Sequence, residues 1–428
     1  MIQSALKKIF LSLSLLCLTM FSAMATHNRA GEITYQKLGT YEYRVRIVTY
    51  TKTSSPADRP ELEFWWGDGQ RDTIPRLSID FNVGPDIQRN IYEGTHVYPG
   101  NGNYIMYFLD ENRNAAVVNI PGSVNIPFYV QTQLIISPAF TVNSSPQLLQ
   151  APIDDGAVGI VFIHNPNAFD PDGDSLSYEL TECKGFGGNP IPNYFFPPAS
   201  SSFALNPVTG DLVWDKPMAV GEYNVAMIIR EWRNVPGVGM INIGYVTRDM
   251  QITIYPPLNQ PPVITGVKDT CVEAGNLLAF TVSATDPTVT ELVTLTATGG
   301  PFTLSNSPAT FSSTPNLGTT TGDFSWNTTC AHVRKSPYTV VFKAEDNNAQ
   351  IQLADLKSMF ITVVGPSPKN PLATPLGNTM VLTWDQSACS EAVGYHIYRR
   401  VATYGYTPGY CETGVPAYTG YVRIASVN

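Results

Sequence analysis

Charge is scarce in this 428-residue chain: only 14% of it is Asp, Glu, Lys or Arg. Coiled coils and long exposed helices draw heavily on those residues, so both are excluded. Positive charge is scarcer than negative, and the net charge of -9 excludes a general hold on nucleic-acid phosphates. The five histidines (His27, His96, His164, His332, His396) are scattered, with no His-Glu-x-x-His pair for zinc. There is no Gly-x-Ser-x-Gly elbow and no phosphate loop ending in Gly-Lys-Ser/Thr. With 33 Gly and 34 Pro the chain is too poor in both for a low-complexity segment. The longest apolar run, Ile9 to Phe21, has 13 residues, short of the roughly 18–20 needed to span a membrane. Lys7 and Lys8 precede it and Ala23-Met-Ala25 follows, so residues 1–25 read as an export signal cleaved before Thr26. The expected location is secreted or cell-surface, with no transmembrane segment once the signal is removed.

Export permits disulfides. Five cysteines follow the signal: Cys183, Cys271, Cys330, Cys389 and Cys411. The odd number leaves one over, and locality suggests Cys271–Cys330 and Cys389–Cys411 with Cys183 free. The first pair would close a loop worth roughly 4 kcal/mol of chain entropy. No Cys-x-x-Cys pair points to zinc instead.

What is present is period-2 alternation. In Tyr41-Glu-Tyr-Arg-Val-Arg-Ile47 the apolar residues face one way and Glu42, Arg44 and Arg46 the other, the pattern of a strand with one face packed. Leu176, Tyr178 and Leu180 repeat it, as do Tyr338, Val340, Phe342 and Ala344. No sustained helical period competes. The expected fold is all-β: tandem immunoglobulin-like β-sandwich domains in an elongated array.

An internal repeat sets the module size. Thr209-Gly-Asp-Leu-Val-Trp214 returns as Thr321-Gly-Asp-Phe-Ser-Trp326. An Asp-Pro pair lies upstream of each, Asp170-Pro171 and Asp286-Pro287. A strand beginning at Tyr223 or Tyr338 lies downstream and meets an acid eight positions on, Glu231 or Asp346. Units of about 110 residues suit a sandwich in which each Trp points into the core. The linker Tyr255-Pro-Pro-Leu-Asn-Gln-Pro-Pro262 is expected to be a stiff, extended spacer.

Residues 150–257 and 258–365, through the two Thr-Gly-Asp-x-x-Trp motifs and the Asp170-Pro-Asp-Gly-Asp174 turn, resemble the cadherin-like, immunoglobulin-like modules of bacterial surface proteins. Trp65-Trp-Gly-Asp-Gly69 and His96-Val-Tyr98 resemble the polycystic-kidney-disease-type (PKD) sandwich, which implies such a domain over 26–149 with His96 as a structural hydrogen-bonding residue. Leu382-Thr-Trp384 and Gly394-Tyr-His-Ile-Tyr-Arg399 resemble part of a fibronectin type III domain over 366–428. The order of parts, with Thr26-His-Asn-Arg-Ala-Gly-Glu-Ile-Thr-Tyr35, resembles the large secreted proteins of gliding Bacteroidota. That resemblance implies cargo of the type IX secretion machinery, of which this chain is the N-terminal part, placed at the outer-membrane surface.

Candidate chemistry is sparse. Asp170, Asp172 and Asp174 put three carboxylates in five residues, a set that either binds calcium or simply caps backbone amides in a tight turn. Glu231 and Asp249 are the further ligands to expect if their strand ends reach the same edge. The second unit keeps only Asp286 of the three, so its site is expected to be the poorer. Tyr194, Phe195 and Phe196 either stack on sugar faces or plug the end of a sandwich. Together these features point to a noncatalytic adhesin-like or spacer protein that presents loops to an extracellular glycan or protein. The alternative is an accessory region of an exported hydrolase whose catalytic domain lies beyond residue 428.

Overall fold

The computed structural model describes residues 28–427 except positions 56, 141, 408 and 410. The export signal expected over residues 1–25 lies outside the described residues. Apart from short helical turns, the secondary structure is strand throughout. The all-β reading holds.

The first unit comprises β1 (Asn28–Lys37), β2 (Glu42–Lys52), β3 (Glu61–Trp65), β4 (Arg71–Asp80), β5 (Ile87–Val97), β6 (Gly102–Asp110) and β7 (Phe128–Ile136). They pair in the order β1-β2-β5-β4-β3-β6-β7. The alternation seen in β2 is realised: Tyr43, Val45 and Ile47 are buried while Glu42, Arg44 and Arg46 are exposed. In its second half both faces are covered, because Val48 and Tyr50 enter the core of the next unit beside Trp214. The tryptophan of the first core is Trp66, whose carbonyl accepts from the Tyr98 hydroxyl at 3.1 Å. His96 stacks on it at 4.6 Å between centroids and lies 2.8 Å from the Asp68 carboxylate, a structural role as expected.

The second unit is built on a long hairpin, Gly221–Val235 and Gly239–Tyr255. One edge of the second strand pairs with the first along its length. Its other edge takes β7 at Gly244–Val246, β1 at Arg248–Met250, and Asp155–Ala157 at Thr253–Tyr255. The sheet of the first unit therefore closes through a strand of the second.

The third unit is a sandwich of two sheets around Trp326. The repeat is real in three dimensions. Trp214 and Trp326 are both fully buried, each donating its indole N–H to a backbone carbonyl, Pro198 at 3.1 Å and Ser307 at 3.0 Å. Each meets the tyrosine of the following strand edge-on, Tyr223 at 5.0 Å and Tyr338 at 5.1 Å. Those hydroxyls donate back to upstream carbonyls, Ala219 and His332, the corner that pins crossing strands in immunoglobulin-type sandwiches.

The linker to the third unit is not a bare spacer, because the two units pack on each other. Phe169 of the second lies in the core of the third, with Arg334 over its ring. Lys343 of the third unit reaches Asp154 of the second at 2.8 Å. Asp154 also holds His164, which borders Arg248, itself bound to Glu32 of β1. One chain of charged and polar side chains, buried but for its Lys343 end and passing through His164, whose pKa burial lowers, thus runs through all three units. Burial works against the Asp154 charge, but Lys343 and His164 outweigh it and its pKa is lowered.

The described residues from 366 onward form two hairpins, Leu372–Leu376 with Thr379–Thr383 and Tyr395–Arg399 with Val422–Val427. Every residue of the first hairpin strands is exposed. Two disulfides fix this segment to the third unit, Cys330–Cys389 and Cys271–Cys411. All four cysteines are paired, but not with the partners expected from locality. Cys271 and Cys330 sit on different parts of the sandwich and both reach out to the last segment rather than to each other. Cys183 is free and fully buried, as expected.

Candidate functional site: two acidic clusters

The turn after residue 169 draws Asp170, Asp172 and Asp174 together, with one oxygen of each within 4.8 Å of the others. Gly173, at φ 86°, supplies the left-handed step. Asp170 Oδ1 accepts the amides of Asp172 and Asp174, both at 2.9 Å, an Asx turn. Asp172 accepts the Ser144 amide at 2.7 Å. Asp174 is held by both ends of the Arg233 guanidinium, with Nε at 2.7 Å. Arg334 donates to the Asp170 carbonyl at 3.3 Å.

Glu231 comes to the same end. Its Oε2 accepts from Tyr35 at 3.2 Å and Asn143 at 3.3 Å, while Oε1 is buried without a donor, as is Asp170 Oδ2. Burial, then the Asp170 charge, raises the Glu231 pKa well above the usual carboxylate range. Burial likewise pushes Asp170 up to about 7. Asp249 does not join them. It is buried against Arg113, in two hydrogen bonds of 3.0 and 2.6 Å, and near Asn224. Asp249 pairs with Ala226 across the hairpin, whereas Glu231 pairs with Gly244, and this separation along the strands is what parts them.

The third unit has a second cluster, Asp286, Glu291 and Asp346. Asp286 and Asp346 stand where Asp170 and Glu231 stand in the repeat. Glu291 had no counterpart in the motif and was not expected. Linker residue Asn259 donates to Asp346 at 2.8 Å, as Asn143 does to Glu231. A signal for these asparagines exists in the sequence: Asn143-Ser-Ser-Pro146 and Asn259-Gln-Pro-Pro262 share the spacing of Asp170 and Asp286.

The aromatic loop divides. Tyr194 is half-buried beside Ile191 and Cys183, its hydroxyl donating to the Asn224 carbonyl at 3.2 Å. Phe196 leans on Tyr194 and Phe203, yet it and Phe195 stay exposed. Tyr194 plugs the sandwich and the two phenylalanines face solvent. Burial pushes the Cys183 thiol up, so it is a core residue and no nucleophile.

No protein-family model and no curated protein matches the chain. Among solved structures it is similar to human protocadherin-24 EC1-2, 17% identical over 51% of this chain and 98% of that one, with a TM-score of 0.18. It is similar to the titin domains Z1Z2 in complex with telethonin, 11% identical over 53% and 100%, TM-score 0.18. It is also similar to Rst D1-D2, 13% identical over 51% and 99%, TM-score 0.17. Likeness at that level fixes neither fold nor function, and both rest on the strands and side chains described above.

Proposed function

We propose that this chain is a noncatalytic extracellular or cell-surface protein, adhesin-like, whose sandwiches form a stiff body presenting loops to a glycan or protein. The observation that supports it most is the chain of charged and polar side chains from Glu32 through Arg248, His164 and Asp154 to Lys343, which joins three units. Breaking buried pairs of this kind is costly, so the units hold fixed relative positions. Two disulfides fit an oxidising compartment. No helix among the described residues is long and apolar enough to cross a membrane. The resemblance to secreted proteins of gliding Bacteroidota adds the type IX route and the outer-membrane surface to this reading. Phe195 and Phe196 are the contact residues we assign, since flat exposed rings stack on sugar faces.

The test is a glycan and protein array probed with the mature chain and with a Phe195→Ala, Phe196→Ala double variant. Retention by the former and loss by the latter is expected. Hydrolysis of an arrayed glycan, or binding indifferent to both phenylalanines, overturns the noncatalytic reading or the assigned contact respectively.

A further inference from the structure

Lys343 belongs to the strand Tyr338–Glu345, whose alternate residues Val340, Phe342 and Ala344 fill the core of the third unit. The period of two puts Lys343 and Glu345 together on the opposite face, and there Lys343 meets the second unit. Its Nζ lies 2.8 Å from Asp154 Oδ1 and 3.3 Å from Glu345 Oε1. The contact to Glu345 is a hydrogen bond. The contact to Asp154 is off hydrogen-bond alignment, and Oδ1 is buried with no donor.

The rest of that carboxyl is held in place. Asp154 Oδ2 accepts from His164 Nδ1 at 3.0 Å, and His164 Nε2 lies 3.4 Å from a nitrogen of Arg248. A guanidinium only donates, so Nε2 accepts and Nδ1 carries the proton. Arg248 is anchored in turn on Glu32. One oxygen of Asp154 is thus fixed by an N–H donor, while the other oxygen and the carbon beyond it are open to an amine. Burial opposes both charges and is the largest influence on each group, although each partner still holds the other ionised. An amide would remove two charges that are costly to bury, and the enforced proximity of amine and carboxyl lowers the barrier to making it.

We propose that Lys343 and Asp154 condense to an isopeptide bond that joins the second and third units covalently. The ammonium passes one proton to Oδ1, which leaves a neutral amine beside a carboxylic acid. The Nζ lone pair attacks Cγ, and the charge that develops on Oδ2 is met by the His164 N–H, with the Arg248 guanidinium behind it. Glu345 takes a second proton from Nζ and returns it to Oδ1. The Cγ–Oδ1 bond breaks, water leaves, and the third proton stays on the amide nitrogen. Glu345 ends as it began. The bond is independent of whatever the array binds.

Intact-mass spectrometry of the mature chain, reduced and denatured, tests this. The expected mass is one water below that of the sequence. Trypsin should then fail to cut after Lys343 and should release a branched peptide that contains Asp154. Lys343→Arg keeps the positive charge and should return the full mass. Glu345→Gln should link at least about tenfold more slowly, read as the unlinked fraction in freshly made chain. A wild type at full sequence mass and cut after Lys343, or one water lost equally from Lys343→Arg, overturns the bond and leaves an ion pair. Linking at an unchanged rate in Glu345→Gln overturns its part in the proton transfer.

Discussion

The second and third units have the same skeleton and an acidic cluster each, but differ in the positive charge beside it. Each buries a tryptophan against a tyrosine corner in nearly identical geometry. Each then gathers an Asp-Pro aspartate, an acid eight residues after the corner tyrosine and a unit-start asparagine. At the second unit's cluster the chain supplies positive charge, Arg233 on Asp174 and, from the third unit, Arg334 on the Asp170 carbonyl. In the third, the added residue is a further acid, Glu291. The difference teaches that packing demands specify the core of such a module tightly, whereas the charges gathered at its polar end vary from unit to unit.

The sharpest test of the shared skeleton is truncation of the two tryptophans. Trp214→Ala and Trp326→Ala should each cost about 3–5 kcal/mol in urea unfolding. A much smaller loss in one unit would break the equivalence. The third unit alone bears a stapled segment. Replacing Cys330 and Cys389 together by Ser should cost about 4 kcal/mol from the lost loop constraint. Hydrogen exchange should then quicken in residues 366–428 and stay slow in Tyr338–Glu345. Exchanging the compensation comes next. Arg233→Gln should lose about 2 kcal/mol of charge-assisted bonding to Asp174, read in urea unfolding.

The smallest effect is the most specific. A carboxyl whose pKa is higher folded than unfolded destabilises the fold as pH rises, because the unfolded chain ionises first. Burial raises Glu231 and takes Asp170 to about 7, so their penalty grows as pH rises above the unfolded carboxyl range, is complete for Asp170 once pH passes about 7, and is relieved in acid. Glu231→Gln should therefore raise the Tm at pH 8, and raise it less at pH 5.

Local signals were legible and relational ones were not. Alternation in β2 and the two Thr-Gly-Asp-x-x-Trp motifs announce strands and core directly, because strand period and turn chemistry act over a few residues. The cysteine partners could not be read, since Cys271 finds Cys411 across 140 residues through packing that spacing does not encode. Glu231 feels the charge of Asp170, while Asp249, one strand on, faces Arg113 instead. Glu291 was invisible because nothing in its neighbours marks the turn that brings it to Asp286. The fusion of the first two units was hidden as well, since a 17-residue strand reads like two ordinary ones.

That long strand has a mechanical consequence. Gly239–Tyr255 is laced on one edge to its hairpin mate and on the other to β7, β1 and Asp155–Ala157 in succession. Tension on the polypeptide cannot peel the second sandwich away without ripping open the first. Stretched by a force probe, the two would give way in a single rupture, where beads on a string would yield one by one.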